Sequence, residues 1–216
     1  MTTVLKNVRL VTPDEVIDGR AVILKDGRID GLPAANETLP EGDVVDGQGG
    51  WLVPGFTDLH IHGMQRYLCD DGPEALRDVS RTLPQYGMTS FLPTLTPRPP
   101  GEDADYVASV AAVDMPGARA PGFFLEGPFL SVTGALPREA LGGPDPDRVR
   151  SLIEACGKRM AVFAVSPEFE GITDLLPIMT ESAPAFITHT RADAQQAQAA
   201  VDAGARHGTH FYDVFY

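Results

Sequence analysis

The sequence has 216 residues, with 17 Lys and Arg against 30 Asp and Glu and a formal net charge of −13 at pH 7. Nucleic acid is excluded as a partner, because neutralising phosphates requires clustered Lys and Arg, and the sequence has no such cluster. We also expect no membrane partner and a reducing cytoplasm, because no apolar run approaches about 18 residues, no secretory signal is present, and Cys69 and Cys156 are too few for a disulfide framework.

The first fifty residues predict a small β domain. Val4–Val11 and Arg20–Leu24 alternate or run apolar at strand length, and an Asp-Gly turn follows the second run. Gly31–Glu41 is punctuated by Pro and Gly and predicts a loop. Gly47–Gly50 then precedes a new apolar run. We therefore expect residues 1–50 to form the small β domain and residues 51–216 to form a larger one.

The larger region alternates short apolar runs with stretches of helical periodicity. The predicted strands are Leu52–His60, Thr89–Leu95, Gly122–Glu126, Met160–Val165, Ala185–Thr188 and Thr209–Tyr212. The predicted helices are Pro73–Tyr86, Glu102–Val113, Asp145–Cys156, Ile172–Ser182 and Asp193–Ala203. This alternation predicts an α/β fold in which helices join parallel strands. Six strands fit a (β/α) barrel or a doubly wound sheet, and the pattern alone does not separate the two.

Side chains that can bind a metal ion follow most of the predicted strands. They are His60 and His62 after the first strand, Glu126 at the end of the third, His189 after the fifth and His210 in the sixth. A barrel gathers the carboxyl ends of its strands around one mouth, whereas an open sheet spreads them along an edge. The pattern therefore favours the barrel. We expect His207, which precedes the sixth predicted strand, to lie at the surface.

The residue types in this cluster predict a metal site. His60 and His62 are two positions apart, so both imidazoles of an extended segment point to one side, although two hydrogen-bonded histidines would give the same pattern. Glu126 lies in an apolar segment, where a carboxylate needs a metal ion, a proton or a buried Lys or Arg. With His189 and His210, the set indicates a divalent metal. Imidazole and carboxylate ligands favour zinc (Zn²⁺), and Fe²⁺, Mn²⁺ or Co²⁺ are the alternatives.

Several motifs resemble a known enzyme family. Val53–Gly63 resembles the opening barrel strand of the amidohydrolase superfamily. Leu125–Leu130, Val165–Glu168, Thr188–Thr190 and Thr209–Tyr212 resemble, in order and spacing, the N-acetylglucosamine-6-phosphate deacetylases. The resemblance spans the chain and implies a (β/α)₈ metal-dependent hydrolase barrel with a small N-terminal β-sandwich portion. The chain covers a little over half of the family's usual length, so we expect a barrel truncated after about six strands.

The resemblance also implies an activity and a set of site residues. It implies hydrolysis of an amide C–N bond in N-acetylglucosamine 6-phosphate, or the galactosamine equivalent, by a homodimeric enzyme whose metal polarises the acetamide carbonyl and activates water. Glu126, His189 and His210 match the principal metal ligands, and His60 and His62 match a pair that holds a second metal in some members. The implied substrate contacts are Ala135, Leu136, Asp213 and Val214.

The chain departs from the family pattern on the substrate side and at its end. Leu136 stands where the family often has His, and Asp213 and Val214 stand where it has Asn and Ala. The family's general base is an Asp on the eighth strand, which we expect beyond Tyr216, so the resemblance implies that the 216-residue chain alone is inactive. Two alternatives remain: another amidohydrolase acting on a cyclic amide or N-acyl substrate, and a non-catalytic metal-binding fragment.

Overall fold

The computed structural model describes residues 1–34 and 36–216. They form two compact units, Met1–Gly55 and Phe56–Tyr216. The division lies five residues after the boundary expected from the sequence at Gly50, because the last strand of the first unit continues to Leu52. None of the helices in the described ranges combines the length and the apolar character needed to cross a membrane.

The first unit is a five-stranded sheet. Its strands are β1 (Thr2–Val11), β2 (Val16–Ile17), β3 (Val22–Lys25), β4 (Arg28–Gly31) and β5 (Asp43–Leu52). Strand β1 pairs antiparallel with β2 and β3 and parallel with β5, and β3 pairs antiparallel with β4. The unit buries Val4, Ala21 and Val22.

Strand β5 was not predicted, because its run of glycines was interpreted as a domain boundary. The structure shows that the glycines serve the pairing with β1. A Cβ atom on Gly47 would collide with Cγ1 of Val8, so the close approach of the two strands favours glycine at this position. The register shifts between Lys6 and Val8, which marks a β-bulge next to the glycines.

The second unit is built around a six-stranded parallel sheet. Its strands, with a small hairpin of β7 and β8, are β6 (Phe56–Ile61), β7 (Gly63–Met64), β8 (Tyr67–Leu68), β9 (Met88–Leu95), β10 (Gly122–Glu126), β11 (Met160–Val165), β12 (Ala185–Ile187) and β13 (Ala205–Gly208). Its helices are α1 (Pro73–Thr82), α2 (Asp103–Ala111), α3 (Pro146–Cys156), α4 (Ile172–Met179) and α5 (Ala194–Asp202), with short 3₁₀ helices at Cys69–Asp71, Leu83–Tyr86 and Arg138–Ala140.

The strand order distinguishes the two architectures that the sequence left open. The order β6-β9-β10-β11-β12-β13 follows the chain without reversal. A doubly wound sheet reverses its order at a switch point, whereas a barrel adds each strand beside the previous one. The sheet is therefore of the half-barrel type.

The helix starts follow from capping residues. Asp145 accepts hydrogen bonds from the backbone N–H groups of Asp147 and Arg148 at the start of α3, and Pro146 occupies its first turn. Asp193 and Gln196 form a reciprocal capping box at the start of α5. The helices predicted at both places are thus present, and the two aspartates lie just outside them as caps.

The core divides between the two faces of the parallel sheet. Phe123 and Leu125 of β10 belong to the cluster that includes the helix residues Val149 and Leu152. Phe124 lies between them in sequence and packs with other strand residues on the opposite face. Because successive side chains of a strand alternate between faces, Glu126 shares the face of Phe124, away from the helices. A polar group thus stands at the carboxyl end of the inner face.

Two strand predictions are corrected. The segment predicted as one strand over Leu52–His60 is the end of β5 and the separate strand β6, with Pro54, which lacks a backbone N–H, between them. The sixth strand lies at Ala205–Gly208, not at Thr209–Tyr212, because its pairing with Ala185–Ile187 of β12 begins directly after α5. His207 is exposed, as expected, but lies within this strand and not before it.

Candidate metal centre

Glu126 is the centre of a cluster of four histidines. Its side chain is 2% exposed at the end of β10. Its Oε1 atom lies 3.3 Å from His189 Nε2, 3.0 Å from His210 Nε2 and 3.7 Å from His60 Nε2. Its Oε2 atom lies 3.0 Å from His62 Nε2. The five side chains predicted as metal ligands are therefore brought together by the carboxyl ends of β6 and β10 and by the segments that follow β6, β12 and β13.

The orientation of His189 is fixed by a backbone carbonyl. Its Nδ1 atom lies 2.9 Å from the carbonyl oxygen of Val132 and donates to it. A neutral imidazole with this tautomer turns the lone pair of Nε2 towards the carboxylate of Glu126. Two acceptors that face each other at 3.3 Å are stable only with a proton or a metal cation between them.

Both histidines that were predicted as ligands after the later strands have left-handed backbones. His189 follows β12 with a φ of 48°, and His210 follows β13 with a φ of 58°. Positive φ is uncommon for non-glycine residues and is concentrated at functional sites. Each left-handed residue lies two positions beyond the end of its strand, and its imidazole lies beside Glu126.

His60 provides the clearest test of whether the cluster fits a metal ion. Its Nδ1 atom is 3.2 Å from the hydroxyl oxygen of Thr94, whereas its Nε2 atom is buried and has no hydrogen-bond partner. The 3.7 Å separation from Glu126 is too long for a hydrogen bond. An orphaned imidazole nitrogen that points at a buried carboxylate fits a cation ligand.

The ligand atoms form two overlapping groups. His60, His62 and Glu126 form one group, and Glu126, His189 and His210 form the other, with the atoms of each group within 4.8 Å of one another. Either group could hold a metal ion. Glu126 is common to both groups.

The pKa shifts of Glu126 and His60 suit a cation site, whereas that of His62 reflects its contact with the carboxylate. Burial opposes ionisation of Glu126, but the contacts with the imidazoles of His189, His62 and His60 outweigh it and lower the pKa of the carboxyl group. Burial lowers the pKa of His60 to about 4, so this imidazole is neutral at neutral pH. The hydrogen bond to Glu126 raises the pKa of His62.

An open cavity of about 490 Å³ lies beside the cluster. It is lined by His62, Thr96, Glu126, Gly134, Ala135, Leu136, His189, His210, Asp213, Val214 and Tyr216. The structure thus places all four predicted substrate contacts, Ala135, Leu136, Asp213 and Val214, on the wall that also carries the ligands. Their contact with a substrate stays a prediction.

Gly134 contributes to the site in a way that the sequence analysis did not anticipate. It has a φ of 54°, and a Cβ atom on it would lie 2.8 Å from Cε1 of His189. The imidazole therefore packs against a position where no side chain fits. The glycine itself, next to the predicted contact Ala135, was the available signal in the sequence.

Comparison with known proteins identifies relatives of the whole chain. No family model matches it. It is 30% identical over 220 residues to the N-acetylglucosamine-6-phosphate deacetylase of Bacillus subtilis, with 97% of this chain and 56% of the relative covered. The chain matches the N-terminal part of the N-acetylglucosamine-6-phosphate deacetylases. The resemblance predicted from the sequence motifs is confirmed.

Other deacetylases extend this comparison. The N-acetylgalactosamine-6-phosphate deacetylase of Escherichia coli O157:H7 is 30% identical over 220 residues, which cover 99% of this chain and 57% of that protein. The chain spans about half the length of these curated relatives.

Solved structures show the same fold. The N-acetylglucosamine-6-phosphate deacetylase of Pasteurella multocida aligns with a TM-score of 0.86 at 22% identity, covering 99% of this chain and 57% of that one. A variant of the Mycobacterium smegmatis deacetylase, in complex with N-acetyl-D-glucosamine-6-phosphate, aligns with a TM-score of 0.82 at 24% identity, covering 99% and 56%.

Proposed function

We propose that the protein carrying this chain deacetylates N-acetylglucosamine 6-phosphate, releasing glucosamine 6-phosphate and acetate, with a divalent metal ion. One observation carries the proposal: Glu126 is buried and its carboxylate is surrounded by four imidazoles at the carboxyl ends of parallel strands. The names of the Bacillus relative and of the Mycobacterium complex support the substrate.

We propose that the six parallel strands are the first six of a (β/α)₈ barrel. The support is their unreversed order and the position of every predicted ligand at or beyond a strand's carboxyl end. In such barrels the residues at these ends form the active site.

Within this site, Glu126, His189 and His210 would hold one ion, and His60 and His62 would hold a second with the same carboxylate. We propose zinc, because nitrogen and carboxylate donors suit it, with Fe²⁺, Mn²⁺ and Co²⁺ as alternatives. When bound, the metal supplies Lewis acidity, which polarises an amide carbonyl and favours deprotonation of water near neutral pH.

The chain's own residues would position the substrate. Ala135 and Leu136 line the cavity wall after β10, and Asp213 and Val214 line the wall after β13. Between these walls a sugar would lie with its acetamide group beside the ligand cluster. We assign no general base in the part of the chain that the structure describes, and the Asp implied by the resemblance stays a prediction.

The lining of the cavity favours one alternative function. Among the described residues of the lining, none is Lys or Arg, whereas Asp213 adds a carboxylate. A phosphate dianion gains no charge pairing from such a wall. This observation favours an amidohydrolase that acts on an uncharged cyclic amide or N-acyl substrate.

Acetate release by the zinc-loaded protein that carries this chain tests the proposal, with Glu126→Gln as the comparison. We expect turnover of N-acetylglucosamine 6-phosphate and a higher KM for unphosphorylated N-acetylglucosamine. In the variant we expect kcat/KM to fall by at least about 100-fold, because the loss of even an outer partner of a metal ligand lowers activity by up to that factor. Equal kcat/KM for the two sugars would favour the alternative amidohydrolase. Zinc binding without turnover of any amide would support the hypothesis of a non-catalytic metal-binding protein.

We further propose that the protein is a homodimer in a reducing cytoplasm. Both cysteines, Cys69 and Cys156, are free and buried. Burial raises the pKa of each thiol to about 12, so neither is a thiolate at neutral pH. Light scattering of the purified protein tests the dimer, and a monomeric mass at working concentration would contradict it.

A further inference from the structure

A second polar cluster lies at the carboxyl end of β11 and contacts the residues that directly follow His189. The carboxylate of Glu168 accepts hydrogen bonds from the hydroxyl groups of Ser131 and Thr190 and, at 2.7 Å, from the backbone N–H of Arg191. Strand β11 lies between β10 and β12 in the sheet. One carboxylate therefore joins the segments that follow both neighbouring strands.

Ser166 makes a parallel set of bonds two residues earlier. Its hydroxyl is buried, donates to the carbonyl oxygen of His189 at 2.7 Å and accepts from the backbone N–H of Ser131 at 2.9 Å. The backbone N–H of Val132 donates to the same His189 carbonyl at 3.1 Å. The backbone carbonyl of His189 is thus hydrogen-bonded both by Ser166, which follows β11, and by Val132, which lies in the segment after β10.

These bonds act on a residue whose backbone needs support. His189 has a φ of 48°, a left-handed conformation that β-carbon sterics disfavour. Its Nδ1 atom depends on the carbonyl of Val132, and Val132 directly follows Ser131, which Glu168 and Ser166 hold. If the segment at Ser131 and Val132 moved, His189 would lose the acceptor that selects its tautomer.

We propose that Glu168 is a positioning residue for the metal ligand His189. It fixes Ser131 on one side and Thr190 and Arg191 on the other, so that the imidazole keeps Nδ1 on the Val132 carbonyl and Nε2 directed at Glu126. The hydrogen bonds of Glu168 are to Ser131, Thr190 and Arg191 and not to any of the five predicted ligand side chains. The inference rests on the proposed function only in requiring that the cluster binds a metal ion.

Zinc affinity of the full protein, measured by calorimetric titration, tests the proposal with a graded pair of variants. Glu168→Ala removes all three acceptor contacts, and we expect zinc affinity to fall roughly 10- to 100-fold, as for other outer partners of metal ligands. Glu168→Gln keeps the shape and one acceptor oxygen, which can still receive Ser131 and Arg191, so we expect it to restore most of the affinity. Glu170→Ala, at an exposed position two residues later, is the control and should bind zinc as the wild type does.

The circular dichroism spectrum and unfolding midpoint of each metal-free variant separate positioning from loss of fold. We expect Glu168→Ala to lose zinc affinity at a temperature at which its metal-free fold is intact. Should that variant not fold, Thr190→Val removes one of the three contacts with little change of shape and should weaken zinc binding in the same direction. Wild-type affinity in whichever of these two variants folds would overturn the positioning role. Failure of the wild type to bind zinc would overturn the proposed function itself.

Discussion

Gly134 packs directly against the imidazole of His189. A Cβ atom on it would lie 2.8 Å from Cε1 and 3.2 Å from Nδ1 of the ring, and the residue already has a positive φ of 54°. Any side chain must therefore displace the ring or the segment that carries Gly134. The constraint acts on the same Nδ1 atom that donates to Val132, so the position of one glycine affects the tautomer and direction of a proposed metal ligand.

We predict that Gly134→Ala lowers zinc affinity by roughly 10- to 100-fold, because it displaces a ligand whose orientation is set by its surroundings. Gly143→Ala is the matched control, since a Cβ atom on Gly143 meets nothing within 4 Å. Calorimetric zinc titrations of both variants provide the measurement. Equal affinity in the two variants would contradict the role given to Gly134.

At the scale of elements, a buried ion pair joins α2 to α3. Arg148 Nε lies 2.7 Å from Asp103 Oδ2, and each side chain is 7% exposed. The guanidinium also donates to the carbonyl oxygens of Arg98 and Ala140. Through these three bonds Arg148 links the two helices with the segments before and between them.

Asp103→Ala should lower the free energy of unfolding by about 3–5 kcal/mol, because it leaves the Arg148 charge buried without its carboxylate. The exposed pair of Arg150 and Asp147, with side chains 60% and 97% exposed, serves as the control. Asp147→Ala should change the free energy of unfolding by less than about 1 kcal/mol. Urea denaturation followed by circular dichroism measures the free energy of unfolding of both variants. Similar decreases in the two would show that burial does not make the Asp103–Arg148 pair more important for stability than the exposed pair.

The contacts of Glu168 predict a pH dependence of stability. Burial opposes ionisation, but hydrogen bonds from the Arg191 backbone, Ser131 and Thr190 outweigh it and hold the pKa of the carboxyl group below its usual value of 4.5. A carboxyl group whose pKa is lower in the folded state adds stability above its unfolded pKa and loses it as pH falls through the folded pKa. Wild type should therefore exceed Glu168→Gln in free energy of unfolding at pH 7, and the difference should shrink below pH 4.5. A constant difference across this range would show that ionisation of Glu168 contributes nothing.

Strands that are determined by their own apolar sequence were predicted more accurately than a strand that is determined by pairing with a distant one. Strands β10 and β11 lie where they were predicted, because each is a continuous apolar run that the sheet buries almost completely. Strand β13 was misplaced because its residues, Ala205–Gly208, carry little strand preference, and its pairing with the distant β12 determines it. The aromatic Phe211 and Tyr212 suggested a strand, yet they are 63% and 99% exposed in the turn that follows.

At the scale of the whole molecule, the sheet brings together residues far apart in the chain. Glu126 and His210 are separated by 84 positions in the sequence, and Oε1 of the first lies 3.0 Å from Nε2 of the second. The sequence was sufficient to predict which five side chains meet, because metal-binding residue types recur at strand ends and barrels gather such ends. It was not sufficient to predict the Val132 carbonyl, the Gly134 contact or the Glu168 network, because these depend on where irregular loops place backbone atoms.

Zinc X-ray absorption spectroscopy of the loaded protein shows whether Glu126 and the histidines around it bind a metal ion. We expect nitrogen and oxygen ligands at about 2.0–2.2 Å with imidazole scattering, and loss of the bound zinc in Glu126→Gln. Sulfur ligation at about 2.3 Å, which would place the ion at a cysteine, or zinc retained unchanged in the variant, would show that this cluster is not the metal site.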